Sequence, residues 1–377
     1  MAEMPAVGSK PGGATVLDNG GLERVQINIA VELRADNIDV SILAGKVAPH
    51  FPTSKNINFR IMELPPNSKL LLPYFLLKTV RDEKPSHIMM TSGDLACLLI
   101  FINFFLASKG NITVSHHQSI SEPVKNAKWF KKVKLLLITY LMRLLYPFAD
   151  SIVAVSNGVA NDLAKRLGTE RIRIKTIYNP IITEGFAARV NEEPLQKYGF
   201  HNGRPTVVYV GRISPEKRLD VALAAVEKLQ AVMPLNFLVI GDGPGMAELR
   251  ERVNRKKLEE YCFIAGFIEN PSPLIAASDV LVLTSDFEGF GNVLVEVMGC
   301  GTQVISTNCP FGPEEILGNN QYGQLIPQND PDSLVFSMLN VLAERFVVQM
   351  GVLKFTAMDF SSERAIREYR QVFRLDN

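Results

Sequence analysis

Two carboxylates flank a glycine-rich loop in the second half of the sequence. Glu288 lies within FEGFGN, and Glu296 follows it in an E-x7-E spacing. The apolar run Val280–Leu283 predicts a strand buried on both faces, and a helix is expected to begin at about Asn292. Free N–H groups and the positive end of a helix dipole then suit a diphosphate, and the carboxylates could hold its uncharged parts. The alternative is a surface loop beside a solvated helix face.

Two cations, Arg212 and Lys217, follow another predicted strand in VGRISPEKR. Cations at the carboxyl end of a strand, at the crevice of a doubly wound domain, suit the charge of a diphosphate and of a leaving group. The alternative is a pair of solvated loop cations.

A nearby turn, VIGDGPG, superficially resembles a dinucleotide fingerprint. Gly241, Gly243 and Gly245 give the spacing GxGxG, which lacks the third glycine position of that fingerprint. The turn therefore does not predict a nicotinamide cofactor.

The elements that must position these residues alternate between strand and helix along the chain. At 377 residues the chain is long enough for two domains. Short apolar runs separated by helical patterns predict parallel α/β structure in both halves. We therefore expect two Rossmann-like, doubly wound domains at residues 1–185 and 186–360, and a helix over residues 361–377 that packs back towards the first domain.

The first strand is predicted from a weak pattern. Residues 1–19 are small and rich in glycine and proline, so that only Ala14 to Leu17 is expected to form a strand. Gly20 and Gly21 follow, and then a helical pattern with apolar residues at Leu22, Val25, Ile29 and Leu33.

Charge is unevenly distributed along the chain. The net charge of +1 combines +8 in residues 1–190 with −7 in residues 191–377, which predicts an anionic partner for the first half. The segment Lys125–Tyr146 joins five lysines, Trp129 and Phe130 to LLLITYLMRLLY, a composition typical of helices at an anionic membrane surface. The alternative is a core helix after a basic turn. Nucleic acid is not expected, because its binders interleave more aromatic residues with the charge.

Composition also bears on compartment. The four cysteines show no metal-ligand spacing and are expected to be buried free thiols in a reducing compartment. No signal peptide is evident, and the longest apolar run, Leu95–Ala107, is too short to span a bilayer. We therefore expect a cytoplasmic protein, peripheral at the inner face of the membrane.

Taken together, several ordered motifs resemble the family 4 glycosyltransferases. They are the early glycine pair followed by Glu-Arg, GRISPEKRLDVAL, GDGP, the segment GFIENPSPLIAASDVLVLTSDFEGFGNVLVEVMGCG, and ISTNCPFGPEEIL. The resemblance implies a GT-B fold, in which two Rossmann-like domains face each other across a cleft. It also implies retaining transfer of a sugar from a nucleotide-diphosphate donor to a glycan or polyprenyl-diphosphate-linked acceptor in cell-surface polysaccharide or oligosaccharide biosynthesis.

The resemblance also implies roles for single residues. Arg212 and Lys217 would neutralise the departing diphosphate, Glu296 would bind the ribose hydroxyls, and Glu288 would face the donor sugar. The further donor contacts implied are Gly21 and the backbone of Phe290, Gly291, Asn292, Val293 and Leu294, with the base near Phe267 and Ile268. Of the adjacent His116 and His117, His117 matches a family position near the transferred sugar, although a histidine held by local hydrogen bonds is the alternative.

Transfer is expected to need no metal or other cofactor, because preorganised cations and a helix N-terminus can stabilise the diphosphate and no Asp-x-Asp motif lies at a strand end. A UDP-sugar is favoured over a GDP-sugar as donor. Two other functions stay open: a nucleotide-sugar epimerase on the same fold, and a non-catalytic protein that binds nucleotide-sugar or glycan.

Overall fold

The computed structural model describes residues 21–44, 72–104, 110–125, 128–190 and 203–375, and the backbone of short strands at 3–7, 16–17, 46–47 and 60–63. The chain divides into two compact units. The first comprises Met1–Pro180 and Ser362–Asn377, and the second comprises Ile181–Ser361. The predicted divisions after residues 185 and 360 lie a few residues from these boundaries.

The first unit is built on a parallel sheet of seven strands in the order β5-β3-β1-β6-β7-β8-β9. Their bounds are β1 Glu3–Val7, β3 Asp39–Ala44, β5 Arg60–Glu63, β6 His87–Met90, β7 Asn111–His116, β8 Ser151–Ala154 and β9 Ile174–Thr176. Two further strands, β2 Val16–Leu17 and β4 Lys46–Val47, pair with each other in a separate small sheet.

The helices of the first unit alternate with these strands. They are α1 Gly21–Ala35, α2 Leu72–Glu83, α3 Gly93–Asn103, α4 Ser121–Lys125, α5 Trp129–Leu145 and α6 Asn157–Leu167, joined by the C-terminal α14 Ser362–Phe373. Ser156 caps α6, since its hydroxyl accepts a hydrogen bond from the Val159 N–H at 3.1 Å.

The prediction for the first strand was wrong. The strand that enters the main sheet is β1, which pairs with β3 from Glu3 to Asp39 onwards and with β6. The residues predicted as the first strand contribute only β2, in the separate sheet. Pro5 within β1 has no N–H to donate to a neighbouring strand, so the sequence pattern predicts irregular structure there. The segment nevertheless forms a strand because it pairs with β3 on one side and with β6 on the other.

The C-terminal helix α14 belongs to the first unit. Ala365, Ile366, Tyr369 and Phe373 recur at helical spacing and are buried, and the helix packs on α1. Arg370 adds an ion pair with Asp36 at 2.7 Å.

The second unit has a parallel six-stranded sheet in the order β12-β11-β10-β13-β14-β15. Its strands are β10 Thr206–Val210, β11 Asn236–Ile240, β12 Cys262–Gly266, β13 Val280–Leu283, β14 Gln303–Thr307 and β15 Gln324–Ile326. Its helices are α7 Leu219–Leu229, α8 Met246–Arg255, α9 Ser272–Ala276, α10 Asn292–Cys300, α11 Pro313–Ile316, α12 Pro331–Leu342 and α13 Met350–Ala357. The central strands are buried along their length, as their continuous apolar runs predict.

Both sheets have a point where the strand order reverses. In the first unit the chain winds outward from β1 through β3 to β5, and then resumes on the other side at β6. In the second unit it winds from β10 through β11 to β12, and resumes at β13 beside β10. Loops that follow the two strands at such a reversal diverge and leave a crevice at their carboxyl ends.

All four cysteines, at positions 97, 262, 300 and 309, are buried free thiols, as predicted. Burial raises the pKa of each thiol to about 12. Within the part of the chain that the structure describes, no helix is both long and apolar enough to cross a membrane.

Candidate functional site

The predicted ligand-binding residues of the second unit converge at its strand-order reversal. Arg212 and Lys217 follow β10, and Glu288 follows β13, which is the direct neighbour of β10 in the sheet. The two strands end at the same edge because they run parallel. The topology therefore brings together cations and a carboxylate that are far apart in the sequence.

Lys217 and Glu288 form an ion pair at this edge. The Lys217 Nζ lies 2.6 Å from the Glu288 Oε1, and the side chains are 20% and 12% exposed. The Ser285 hydroxyl donates to the same oxygen at 2.7 Å. Oε1 is thus engaged twice, whereas Oε2 takes part in neither contact and is available to accept from a ligand hydroxyl.

The backbone around Glu288 is held by the loop after β14. The Glu288 N–H donates to the Pro310 carbonyl at 2.7 Å, and the Phe311 N–H donates to the Glu288 carbonyl at 3.1 Å. Gly312 follows at φ +98°, where an added Cβ would lie 1.8 Å from the Phe290 carbonyl oxygen. Glycine at 312 is therefore required for the two loops to approach.

Arg212 extends from the loop after β10. Its side chain is exposed, and the Tyr209 hydroxyl donates to its carbonyl at 2.9 Å. The GxGxG turn lies against this loop: a Cβ at Gly241 would sit 1.9 Å from the Gly211 carbonyl oxygen. These glycines thus allow two strand-end loops to pack closely. This packing explains why glycines occur here, and no dinucleotide-binding role is needed to explain them.

Helix α10 begins at Asn292, as predicted, directly after the loop that carries Glu288. Gly291 caps it at φ +99°, and Glu296 lies half-buried along it. The Phe290 ring packs into the core against Phe360, and the Leu294 N–H already donates to the Gly291 carbonyl. The Leu294 N–H, the last of the predicted backbone contacts, is therefore already paired within the loop.

Three residues of this site were missed in the sequence. Ser285 holds the Glu288 carboxylate, the Thr284 hydroxyl donates to the carbonyls of Lys217 and Arg218, and the Arg218 side chain pairs with Asp286. The available signal was a Thr-Ser-Asp run directly after a buried strand, since polar residues at that position face the ligand edge of a parallel sheet.

The predicted base contact lies at the same edge of this sheet. Phe267 follows β12 and is 45% exposed, and Ile268 beside it is half-buried. An exposed aromatic ring at a strand end can stack on a planar ligand.

The first unit holds His117 just beyond β7. The Ser115 hydroxyl lies 3.2 Å from its Nε2, and Tyr369 of α14 hydrogen-bonds to Ser115. Burial lowers the pKa of His117 to about 3, an effect that neighbouring His116 increases and that Asn179 opposes. His117 is therefore neutral near pH 7 and can exchange a hydrogen bond but carries no positive charge.

His116 is held within the core. Its Nε2 lies 2.8 Å from the Tyr146 hydroxyl, and burial lowers its pKa to about 4. His116 is thus engaged with Tyr146 in the core, and the preference for His117 as a ligand contact stays a prediction. Gly21 is the exposed first residue of α1, while Gly20 lies outside the described residues.

Helix α5 presents its apolar residues to solvent. Trp129 is 69% exposed and Phe130 is 83% exposed, and within the helix only Met142 is buried. The other exposed apolar residues of this face are Val133, Leu136, Leu137, Tyr140, Leu141 and Leu144, followed by Phe148. The interpretation of this segment as a core helix was therefore wrong. The pattern predicted an amphipathic helix without saying which face the fold covers.

No group of three histidine, cysteine, aspartate or glutamate side chains that could hold a metal ion occurs among the described residues.

Comparison with known proteins supports the resemblance found in the motifs. Residues 19–184 match the protein-family model Glycosyltransferase Family 4, and residues 190–350 match the model Glycosyl transferases group 1. Only short stretches, mainly residues 1–18 and 351–377, lie outside the two matches.

Individual relatives include two curated enzymes. The chain is 28% identical over 209 residues to the N-acetylgalactosamine-N,N'-diacetylbacillosaminyl-diphospho-undecaprenol 4-alpha-N-acetylgalactosaminyltransferase of Campylobacter jejuni, covering 55% of each protein. It is 25% identical over 228 residues to N-acetyl-alpha-D-glucosaminyl L-malate synthase of Bacillus anthracis, covering 60% of this chain and 59% of that enzyme. The matches thus span less than two thirds of either relative.

Among solved structures, Anabaena Alr3699/HepE in complex with UDP-glucose has a TM-score of 0.81 at 18% identity, covering 99% of this chain and 100% of that one. This similarity confirms the predicted α/β fold with two Rossmann-like units, of GT-B class.

Proposed function

Since the chain belongs to the group 1 glycosyltransferases of family 4, we propose that it transfers a sugar from a nucleotide-diphosphate donor to a glycan or lipid-linked acceptor, with retention at the anomeric carbon. The observation that carries this proposal is the pairing of Lys217 with Glu288 at the strand-order reversal, with the exposed Arg212 on the same loop as Lys217.

The charges suit the cleavage of a sugar–phosphate bond. Cleavage develops positive charge at the anomeric carbon and negative charge on the departing diphosphate. A lysine ammonium has three N–H groups, and Lys217 gives one to Glu288, so two remain for phosphate oxygens. Lys217 then lies between the carboxylate that faces the sugar and the phosphate that leaves.

Arg212 supplies the second cation. Its side chain makes no hydrogen bond or ion pair with the described residues and is therefore available for a bidentate contact with phosphate oxygens. Fixed cations together with the N-terminus of α10 stabilise the leaving group without reorganisation, so transfer needs no metal ion.

The carboxylates bind the uncharged parts of the donor. Glu288 Oε2 accepts a hydroxyl of the sugar, and Glu296 on α10 accepts the ribose hydroxyls. For the first unit, neutral His117 is able to exchange a hydrogen bond, and Gly21 and His117 keep the roles that the family resemblance implies. A UDP-sugar is the favoured donor, which the UDP-glucose complex of a structural relative supports.

The acceptor is a glycan or a lipid-linked group, and the protein binds the membrane surface from the cytoplasm through α5. The exposed apolar face of α5 suits burial at the boundary between headgroups and acyl chains. Lys128, Lys131, Lys132 and Lys134 surround the start of that face and suit anionic headgroups. The undecaprenol-linked substrate in the name of the Campylobacter relative supports such an acceptor, whereas the Bacillus relative is named for L-malate.

The test is thermal-shift binding of UDP- and GDP-sugars to the wild type and to Glu296→Ala. We expect a shift with one nucleotide family that disappears in the variant. No shift with any nucleotide-sugar would contradict the proposal. Turnover of the bound donor then separates the alternatives: transfer requires an acceptor, an epimerase would convert the donor alone, and a binding protein would leave it intact.

A further inference from the structure

Arg218 adopts a backbone conformation that disfavours any residue with a Cβ. It follows Lys217 directly, lies at φ +48° and ψ +45° in the left-handed region, and precedes the first residue of α7. Glycine would occupy this position without steric cost. The side chain of Arg218 must therefore contribute something that glycine cannot.

That side chain joins three strand-end loops. Its Nε and Nη2 donate to the two Asp220 carboxylate oxygens, each at 3.0 Å. Its Nη1 donates to Asp286 at 3.1 Å, in the loop after β13, and its Nη2 donates to Asn329 at 2.6 Å, in the loop after β15. Hydrogen bonds to Asp220 and the negative charges of Asp220 and Asp286 raise the pKa of the guanidinium.

Further hydrogen bonds join the loop after β10 to the loop after β13. The Asp286 N–H donates to the Glu216 carbonyl at 2.8 Å. The Thr284 hydroxyl is 2.9 Å from the carbonyls of both Lys217 and Arg218. Residues 216–218 are therefore fastened to residues 284–286, directly beside the ion pair of Lys217 and Glu288.

We infer that Arg218 is a positioning residue for the transfer reaction: acting through Asp286, it holds the Lys217 ammonium and the Glu288 carboxylate in register on their two loops. Four of its five N–H groups are occupied by protein, so its role does not require contact with the donor. This inference rests on the proposed function.

The test compares Arg218→Gly with Lys257→Gly. Lys257 is also basic and also has a left-handed backbone conformation, at φ +52°, but it is exposed at the end of α8. Its replacement by glycine therefore relieves the same backbone strain at a position away from the site. We expect Arg218→Gly to lower kcat for release of nucleoside diphosphate from the donor by about tenfold or more. A tenfold fall corresponds to an increase of about 1.4 kcal/mol in the activation free energy. We expect UDP affinity to change less than threefold and Lys257→Gly to retain wild-type kcat.

Asp286→Ala and the double variant test whether the effect passes through Asp286. If it does, Arg218→Gly combined with Asp286→Ala loses no more activity than either single change. Additive losses, or a kcat of Arg218→Gly within twofold of the wild type, would overturn the inference. Should Arg218→Gly not fold, Arg218→Lys replaces it: lysine keeps the charge without the fork that joins two carboxylates, and is expected to lower kcat likewise.

The two proposals fail in different ways. A wild type that binds no nucleotide-sugar contradicts the proposed function, whereas an active wild type with an equally active Arg218→Gly contradicts only the role of Arg218. A parallel fall in UDP affinity, kcat and thermal stability would show a merely structural role and would also overturn the inference.

Discussion

Lys217 and Glu288 meet at 2.6 Å although 71 positions separate them in the chain. The lysine follows β10 and the glutamate follows β13, and these strands are neighbours only because the strand order of the second sheet reverses between them. A cation and a carboxylate are thereby fixed side by side at the edge of the sheet where ligands bind in doubly wound folds.

Removal of the Lys217 ammonium or of the Glu296 carboxylate is expected to abolish most transfer. Lys217→Ala and Glu296→Ala should each lower kcat/KM by about 10²–10³-fold, the usual cost of losing one preorganised contact to a transition state. Steady-state kinetics with the nucleotide-sugar that binds in the thermal-shift test would measure this loss. Lys228→Ala is the matched control. It breaks an exposed ion pair between Lys228 on α7 and Asp332 on α12 and should leave the rate unchanged. Wild-type activity in Lys217→Ala or Glu296→Ala would contradict the site.

Gly312→Ala is expected to destabilise the second unit. The new Cβ would overlap the Phe290 carbonyl at φ +98°, so the loop that holds Glu288 must shift, at about 1–3 kcal/mol of unfolding free energy. Gly351→Ala on α13 meets nothing within 4 Å and should be neutral or stabilising by up to about 1 kcal/mol. Urea unfolding of both variants would show the difference; equal stabilities would mean that the loops need not approach.

Stability should fall as the pH is lowered below about 6.5. The pKa values of His116 and His117 are about 4 and about 3 in the folded protein, below the ordinary value of 6.5, so the unfolded chain binds more protons in between. The stabilising contribution of each histidine to the free energy of unfolding is fully present above pH 6.5. Between pH 6 and 5 it falls by up to about 1.4 kcal/mol per pH unit for each histidine.

Unfolding midpoints at pH 7, 6 and 5 would reveal this slope. His117→Gln should make the slope shallower, because glutamine does not titrate. A variant whose acid sensitivity equals that of the wild type would show that His117 is not buried in its neutral form.

Membrane binding is expected to depend on α5. Replacing Lys128, Lys131 and Lys132 by Glu should weaken sedimentation with anionic liposomes by about a hundredfold or more, since each lysine near the surface contributes about 1 kcal/mol. Replacing Trp129 and Phe130 by Ser should weaken binding by removing apolar burial. Lys354→Glu combined with Phe355→Ser on α13 is the control, because it alters an exposed cation and an exposed ring on the other unit. Unaltered liposome binding by the α5 variants would exclude this helix as the contact.

Chelation of divalent metals should leave transfer unchanged, because Arg212 and Lys217 supply the positive charge that a metal would otherwise provide. Rates with EDTA, and after adding back Mg²⁺ or Mn²⁺, would test this. A loss of activity that the metal restores would contradict metal-independent transfer.

The sequence by itself determined the fold class and the chemistry of the site. A buried strand, its glycine-rich loop and the following helix are specified by neighbouring residues. Arg212, Lys217 and Glu288 could therefore be placed at strand ends, and Glu296 on the following helix, without coordinates. The prediction of the first strand failed because Pro5 obscures the strand pattern of β1. That segment forms a strand through pairing with β3, which is distant in the chain.

Tertiary structure alone decided which partners meet. The contact of Glu288 with Lys217, and those of Arg218 with Asp286 and Asn329, depend on strand order, which no local pattern encodes. It also decided that α5 exposes its apolar face, since an amphipathic pattern is the same whether that face meets a core or remains uncovered. Local propensities specify the elements, and long-range packing specifies their neighbours.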